Sequence, residues 1–334
     1  MRFLVTGTAG FIGYHLASRL LADGHVVAGL DGLTPYYDVK LKEARHARLS
    51  QSNRFTAHIV RLEDEKRLAE IMETVKPDVV FHLAAQAGVR YSLENPQAYL
   101  DSNLTGTFNL LEAVRRNSVQ HLLFASTSSV YGADGKMPFA ETAPADHPLT
   151  LYAATKKAGE LMSHNYAHLW NVPVTAMRFF TVFGPWGRPD MALFKFTDAV
   201  LSGKPIDVYG QGNMSRDFTY VDDVTEAMVR LVPRVPRHLQ REEIEGDSLS
   251  PVAPYRLINI GRGAPVGLLD LVDAIEAATG KKAIREMMPM QPGDVPATFA
   301  SINLLEQLTG FQPTTDLAEG VQRFVEWYRG YYKQ

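Results

Sequence analysis

The chain of 334 residues carries a formal net charge of −3 at pH 7 and contains no cysteine. Its 46% hydrophobic and 21% charged residues are those of an ordinary soluble globular protein, long enough for two domains or one domain with an appended lobe. Disulfides, thiolate metal sites and cysteine nucleophiles are excluded, and the lack of long like-charge runs argues against nucleic acid or an acidic membrane surface as partner.

The opening MRFLVTGTAGFIG is apolar for only a few residues before glycines intervene. That is too short for a signal peptide or a membrane span, so a cytoplasmic protein is expected. RFLVTG reads as a strand and FIGYHLASRLLADG as a helix ended by Gly24. HVVAGLD is a second strand and RFTAHIVRL a third. EDEKRLAEIMETV is helical, with Leu68, Ile71, Met72 and Val75 on one face. DVVFHLAA is a near-continuous apolar strand of the kind buried on both sides. PQAYLDSNLTGTFNLLEAVRRN predicts a long helix, HLLFAST a strand, LYAATKKAGELMSHNYAHLW a helix and VPVTAMRFF a strand. This alternation predicts an α/β fold, a doubly wound parallel sheet of Rossmann type, over residues 1–178.

After about residue 179 Gly and Pro become frequent (FGPWGRPD, YGQGN, MQPGDVP) and the alternation weakens. A second, smaller α/β lobe over 179–334, covering the strand ends, is expected. Within it TYVDDVTEAMVRLV, near 219–232, predicts a helix packing back on the first domain, and the polar stretch between Pro233 and Tyr255 a surface loop. Ten histidines form no metal-like cluster, and His82 on the buried strand reads as a satisfied core histidine; no metal is expected.

Gly7, Gly10 and Gly13 stand between the first strand and the first helix, where backbone N–H groups and the helix dipole favour a pyrophosphate. A glycine triplet alone marks only a tight turn. Asp31 at the end of the second strand adds the carboxylate that suits ribose hydroxyls and repels an extra phosphate, so NAD is expected over NADP.

Tyr152 and Lys156 lie four apart on one predicted helix face. A phenol with a reference pKa of about 10 is a poor base at neutral pH. An ammonium beside it and a nicotinamidium opposite would favour the phenolate. The spacing alone also fits a solvated helix face. FASTSSVYG adds Ser126, Thr127, Ser128 and Ser129 where the preceding strand ends, with no acid among them.

TGTAGFIG, HLAAQAGVR, STSSVYG, YAATK, RFFTVFGPWGRPDMA, RDFTYVDD and QPGDVPAT follow one another in the order found in extended short-chain dehydrogenase/reductases that modify nucleotide sugars. The chain resembles that family over essentially its full length. The resemblance implies that Gly7, Gly10, Phe11, Ile12, Gly13, Asp31, Leu62, Leu83, Ala84, Ala85, Tyr152 and Lys156 contact a tightly held NAD, regenerated each cycle. It implies that Thr127 and Tyr152 bind the carbon-4 hydroxyl, which Tyr152 deprotonates.

Dehydratases resembling this chain carry Asp-Glu after the strand threonine, and UDP-glucuronate decarboxylases a glutamate at the position of Ser129. Ser128 and Ser129 stand there instead, which leaves 4-epimerization. RFFTVFGPWGRPDMA and PYYDVKLKEARHARL resemble UDP-glucuronate 4-epimerases. Ser128, Ser129 and Thr181 can donate to a uronate carboxylate, whose burial without partners costs several kcal/mol. Arg188 and Arg90 are further candidates for that anion or for the diphosphate. By resemblance Arg216 meets the nucleotide phosphates and Asp294 lies near the uridine ribose; Lys195 and Gln211 are weaker candidates. Arg216 beside Asp217 could instead be an ion pair.

The chain departs from the family pattern at Gly32, where Asn is common, and at Arg61-Leu62, which puts the grip on the adenosine end in question. Arg61 could stack on the adenine. Pairing of the Tyr152 helix with the long helix before it would make a homodimer, as family members commonly do. Alternatives left open are a UDP-galactose-type 4-epimerase, a decarboxylating UDP-glucuronate enzyme, and a non-catalytic NAD-binding sensor or scaffold.

Overall fold

The computed structural model describes residues 1–132, 136–239, 244–291 and 293–333. Residues 240–243 of the expected loop and Pro292 of the QPGDV stretch lie outside them.

Seven parallel strands form one sheet, in the spatial order Tyr255–Ile260, Val174–Phe179, His121–Thr127, Val79–His82, Arg2–Thr6, Val26–Asp31, Phe55–Ile59. Strand order reverses beside the first strand, which leaves a crevice at the carboxyl ends. Side chains alternate between two cores with the strand period of two. Phe3, Val5, Leu123 and Ala125 join one, beside the helix Phe11–Ala22; Leu4, Leu122 and Phe124 join the other, with Leu68, Ile71, Met72 and Tyr166. Burial on both faces is why the strands read as unbroken apolar runs.

The helix Val221–Leu231 packs on Phe11–Ala22, as its apolar stripe Val221, Val224, Met228, Leu231 requires. The strand Tyr255–Ile260 also returns to the large sheet, at its edge. Chain beyond residue 179 therefore contributes to both cores. Much of the remainder forms a third core, where Phe194, Phe218, Leu271, Val321, Phe324 and Tyr328 pack together among the helices Ala192–Ser202, Leu268–Thr279 and Leu317–Tyr332, and Phe180 and Ala300 join a small fourth cluster with Tyr131 and Phe139. A small mixed sheet centred on Ser215–Tyr220 faces the crevice.

Two elements differ from the sequence reading. The long helix predicted from Pro96 contains a π-helical stretch, Leu100–Thr105, before continuing as Gly106–Arg115. The alternation also passes over a helix, Val39–Leu49, whose Lys42, Arg45 and His46 are buried. Among the described residues no helix is long and apolar enough to cross a membrane.

Candidate active site

Two cavities open at the carboxyl ends of the strands, one of about 540 Å3 over the glycine turn and one of about 620 Å3 between the sheet and the smaller lobe. Thr127, Tyr152, Arg188 and Tyr36 line both, so they form the wall between them.

The smaller cavity is built from the glycine turn. Gly7 has φ +82°, and a Cβ on Gly13 would stand 2.1 Å from the Gly7 carbonyl oxygen, so this turn admits no side chain there. Gly10 precedes the helix Phe11–Ala22, which has no side-chain cap and no acid in its first turn, leaving a positive helix end facing the cavity. Asp31 accepts hydrogen bonds from Ala9 N (2.9 Å) and Leu33 N (2.8 Å), which fixes its carboxylate at the rim. Phe11, Ile12, Leu62, Leu83, Ala84, Ala85 and Lys156 also line this cavity. Gly32 and Arg61 come together: a Cβ on Gly32 would meet Arg61 Cγ at 3.1 Å, so this glycine makes room for the arginine stem.

Loop and helix supports hold this wall. Asn103, in the π-helical stretch, accepts from Gln86 N (2.8 Å) and donates to Gln86 O (3.0 Å) and Thr155 Oγ1 (3.1 Å). It thereby ties the loop after Val79–His82 to the Tyr152 helix, and such stretches recur at functional sites. Arg45 donates to Ala9 O (2.7 Å), Tyr37 Oη (2.8 Å) and Trp186 O (2.5 Å), pinning the glycine turn to the loop before Arg188. Neither residue was singled out from the sequence. The carbonyls that the fold brings near Arg45 explain its burial.

Tyr152 and Lys156 occupy consecutive turns of the helix Leu151–Trp170, capped by Thr150. Burial raises the Tyr152 phenol above its ordinary value, against hydrogen bonding from Thr127 and the charge of Arg188. Burial outweighs both in the protein alone. Burial pushes the Lys156 ammonium down to about 8, with Glu160 acting against it, and its Nζ stands 4.7 Å over the Phe124 ring.

The hydroxyl run divides. Ser126 is buried and donates to Glu160 Oε1 at 2.6 Å. Thr127 begins a short 3-10 turn, donating to Ser129 Oγ and accepting from Ser129 N, both at 3.2 Å. Thr127, Ser128 and Ser129 line the larger cavity with Thr181.

That cavity also gathers Arg90, Arg188, Lys195, Arg216 and Asp294. Arg90 pairs with Asp294 (3.1 Å) and lies 4.6 Å over the Tyr209 ring; Arg188 pairs with Asp190. Arg216 donates to Ser215 O at 2.8 Å, and burial lowers its pKa against the charge of Asp294. It forms no ion pair with Asp217, whose carboxylate is buried under the backbone N–H groups of Arg262, Gly263 and Ala300. Gln211 lines neither cavity; its backbone N–H donates to Met288 O (3.0 Å) in the turn Tyr209–Gly212. His82 is a core residue, buried between Thr6 Oγ1 (2.9 Å) and Thr107 Oγ1 (3.1 Å). Among the described residues no group of three His, Asp or Glu could hold a metal ion.

Comparison with known proteins agrees with this arrangement. Residues 3–245 match the NAD dependent epimerase/dehydratase family. The chain is 59% identical over 336 residues to a probable UDP-glucuronate 4-epimerase of Rhizobium meliloti, covering 100% of this chain and 98% of the relative. It is 45% identical over 334 residues to UDP-glucuronate 4-epimerase 1 of Arabidopsis thaliana, covering 98% and 77%. The structure superposes with a TM-score of 0.88 and 32% identity on the UDP-glucuronic acid 4-epimerase of Bacillus cereus crystallised with UDP-glucuronic acid and NAD, covering 99% of this chain and 100% of that one. A crevice at a strand-order reversal, a glycine turn under it and a Tyr-Lys helix beside it thus come with full-length likeness: the chain belongs to the NAD dependent epimerase/dehydratase family.

Proposed function

We propose that the protein interconverts UDP-glucuronate and UDP-galacturonate by 4-epimerization with a resident NAD. The observation that carries this is the shared wall: Thr127 and Tyr152 face both cavities, and Ser128, Ser129 and Thr181 continue into the larger one. NAD fits the smaller cavity through the Gly7–Gly13 turn and Asp31, and would supply a reversible hydride acceptor for carbon-4 of the sugar. Tyr152 takes the proton of the carbon-4 hydroxyl and later returns it, while Thr127 orients that hydroxyl and Lys156 holds the ribose side. Positive charge from Lys156 and a bound nicotinamidium would favour the phenolate against the burial that raises it. Hydroxyl donors suit the carboxylate of the 4-keto uronate, and no side chain at Ser128 or Ser129 offers the acid or base that elimination or decarboxylation uses. Arg216 and Asp294 would serve the nucleotide, with Lys195 at the edge.

The same reading assigns residues 1–178 mainly to NAD and 179–334 mainly to the UDP-sugar. It makes the protein a cytoplasmic homodimer. Phe108 on one helix and Leu161, Leu169 and Trp170 on the Tyr152 helix are exposed, with Leu161 at 61%, an apolar face suited to a second copy.

Incubation of the purified protein with UDP-glucuronate, with products resolved by NMR, tests the reading. UDP-galacturonate is expected. A UDP-pentose would mark a decarboxylating enzyme, and turnover of UDP-glucose alone a galactose-type epimerase.

A further inference from the structure

Arg45 holds the walls of both cavities and lines neither. It projects from the helix Val39–Leu49 and is fully buried. One terminal nitrogen donates to Ala9 O (2.7 Å), between Gly7 and Gly10 of the glycine turn, and to Tyr37 Oη (2.8 Å). The other donates to Trp186 O (2.5 Å) and Gly187 O (3.2 Å). Ala9 N donates in turn to Asp31 Oδ2 (2.9 Å), so this residue is fixed at its N–H and at its carbonyl. Gly7 and Gly10 line the smaller cavity, and Gly184 and Gly187 the larger one. The second loop is strained. Trp186 has φ +59°, a left-handed backbone that is costly for a bulky side chain and persists only where the surroundings over-determine it. Its ring stands among Tyr14 (centroids 5.5 Å apart), Trp327 (5.3 Å) and Tyr331 (5.1 Å), which fixes the side chain, while Arg45 fixes the carbonyl.

Resting on the proposed NAD and UDP-sugar sites, we infer that Arg45 is a positioning residue for both ligands at once, tying the strained loop that walls the sugar cavity to the glycine turn under NAD. A guanidinium suits this task because its donors form a rigid fork that can meet carbonyls on two sides, where an ammonium offers a single point of charge. Without it the buried carbonyls of Ala9, Trp186 and Gly187 lose their donor, and each loss favours a rearrangement that finds the oxygen another partner. On the cofactor side Ala9 belongs to the turn whose N–H groups would meet the pyrophosphate, so freedom there loosens the anion site. On the sugar side Trp186 is released from its left-handed backbone, and Gly187 moves the cavity wall with it. Neither ligand has to touch Arg45 for its binding to depend on it. Each must then order a loop that Arg45 holds ready in the wild type, and affinity falls by that ordering cost.

The test compares wild type, Arg45→Met and Arg45→Lys. Methionine keeps an unbranched stem in the core and has no donor, while lysine keeps the charge without the fork. NAD affinity is read by titrating the cofactor, UDP-glucuronate affinity by calorimetry with NAD at saturation, and kcat by steady-state kinetics. We expect Arg45→Met to bind NAD about tenfold more weakly and UDP-glucuronate about tenfold more weakly, each the worth of one lost charge-assisted contact. With both ligands saturating, kcat should stay within about threefold, since Arg45 meets no reacting atom. Arg45→Lys should fall between the two proteins on both affinities. An arginine that only supports the fold would lower the melting temperature and leave both affinities at their wild-type values. That result overturns the inference and leaves the epimerase reading intact, as does loss of affinity for one ligand without the other. A wild type that holds NAD but does not bind UDP-glucuronate overturns the reading and the inference together. If Arg45→Met does not fold, Arg45→Lys decides: wild-type affinity for either ligand there overturns the inference.

Discussion

Glu160 takes Arg178 in a two-pronged ion pair, with Nε to Oε1 and a terminal nitrogen to Oε2 both at 2.8 Å, and each side chain is at most 2% exposed. The pair joins the helix carrying Tyr152 and Lys156 to the strand Val174–Phe179, and through Ser126 to the strand that ends in Thr127. Burial alone would raise the Glu160 carboxyl, but hydrogen bonds and charge from Arg178, with Ser126, hold it below the usual carboxylate range.

Removing one partner of such a pair leaves the other charge buried. Glu160→Gln should therefore lower stability by about 3–5 kcal/mol, read as a shift in the denaturant midpoint. The pH dependence has a defined sign. A carboxyl whose folded pKa lies below its unfolded value contributes stability that is present above the unfolded value and lost as pH falls through the folded one. The variant should show a flatter acid limb of stability than wild type. Equal midpoints would mean that the pair is energetically neutral.

Lys156 should appear on the alkaline side. Its folded pKa of about 8 lies below the ordinary 10.5, so between those values the unfolded chain binds the extra proton. The burial cost of the ammonium is complete below about 8 and is relieved as pH rises above it, a small gain in stability there. Activity should move the other way, because the charge that holds the ribose and favours the phenolate is lost. We expect kcat/KM to fall with an apparent pKa near 8, and Lys156→Arg to move that limb to higher pH. Identical alkaline limbs in the two proteins would exclude Lys156 as their source.

The sheet and its chemistry were legible because their signals are local. Burial on both faces makes the strands readable as unbroken apolar runs, the glycine turn announces a helix start, and Tyr152 with Lys156 repeats at one helical turn. What the sequence hid depends on distant partners. Arg45 looks like a surface charge until the fold brings carbonyls of Ala9 and Trp186 to it. Asp190, two residues after Arg188, carries no local signal, because its partners Arg188 and Tyr36 meet only across the crevice. Tyr152 shows a second limit: spacing places it one turn from a lysine, while its burial is a tertiary quantity that no local pattern carries.

The glycine turn offers a test of cofactor retention separate from turnover. A methyl on Gly13 would sit 2.1 Å from the Gly7 carbonyl oxygen, and that oxygen belongs to backbone with no room to give. Gly13→Ala should displace the turn and strip the protein of co-purifying NAD by at least about tenfold, read by acid extraction and absorbance. Calorimetric affinity for UDP should survive, since Arg216 and Asp294 lie in the other cavity. Full NAD content in the variant would show that the pyrophosphate is not held there.

Ser129 tests the logic of the hydroxyl run. It lies at the start of the turn that follows Thr127, lines the larger cavity and is bonded to the Thr127 hydroxyl on one side. A glutamate there would place a negative charge against the uronate carboxylate, and it would replace a donor with an acceptor. Ser129→Glu should raise KM for UDP-glucuronate by about tenfold or more, the cost of one lost charge-assisted contact and an added repulsion. Affinity for UDP should change little, and residual product should shift towards the pentose if the new carboxylate reaches the sugar. High salt should recover part of the lost affinity only if the two charges remain solvated. A variant with unchanged KM and unchanged product would show that the carboxylate is bound elsewhere, and the case for a uronate built on these hydroxyls would fail with it.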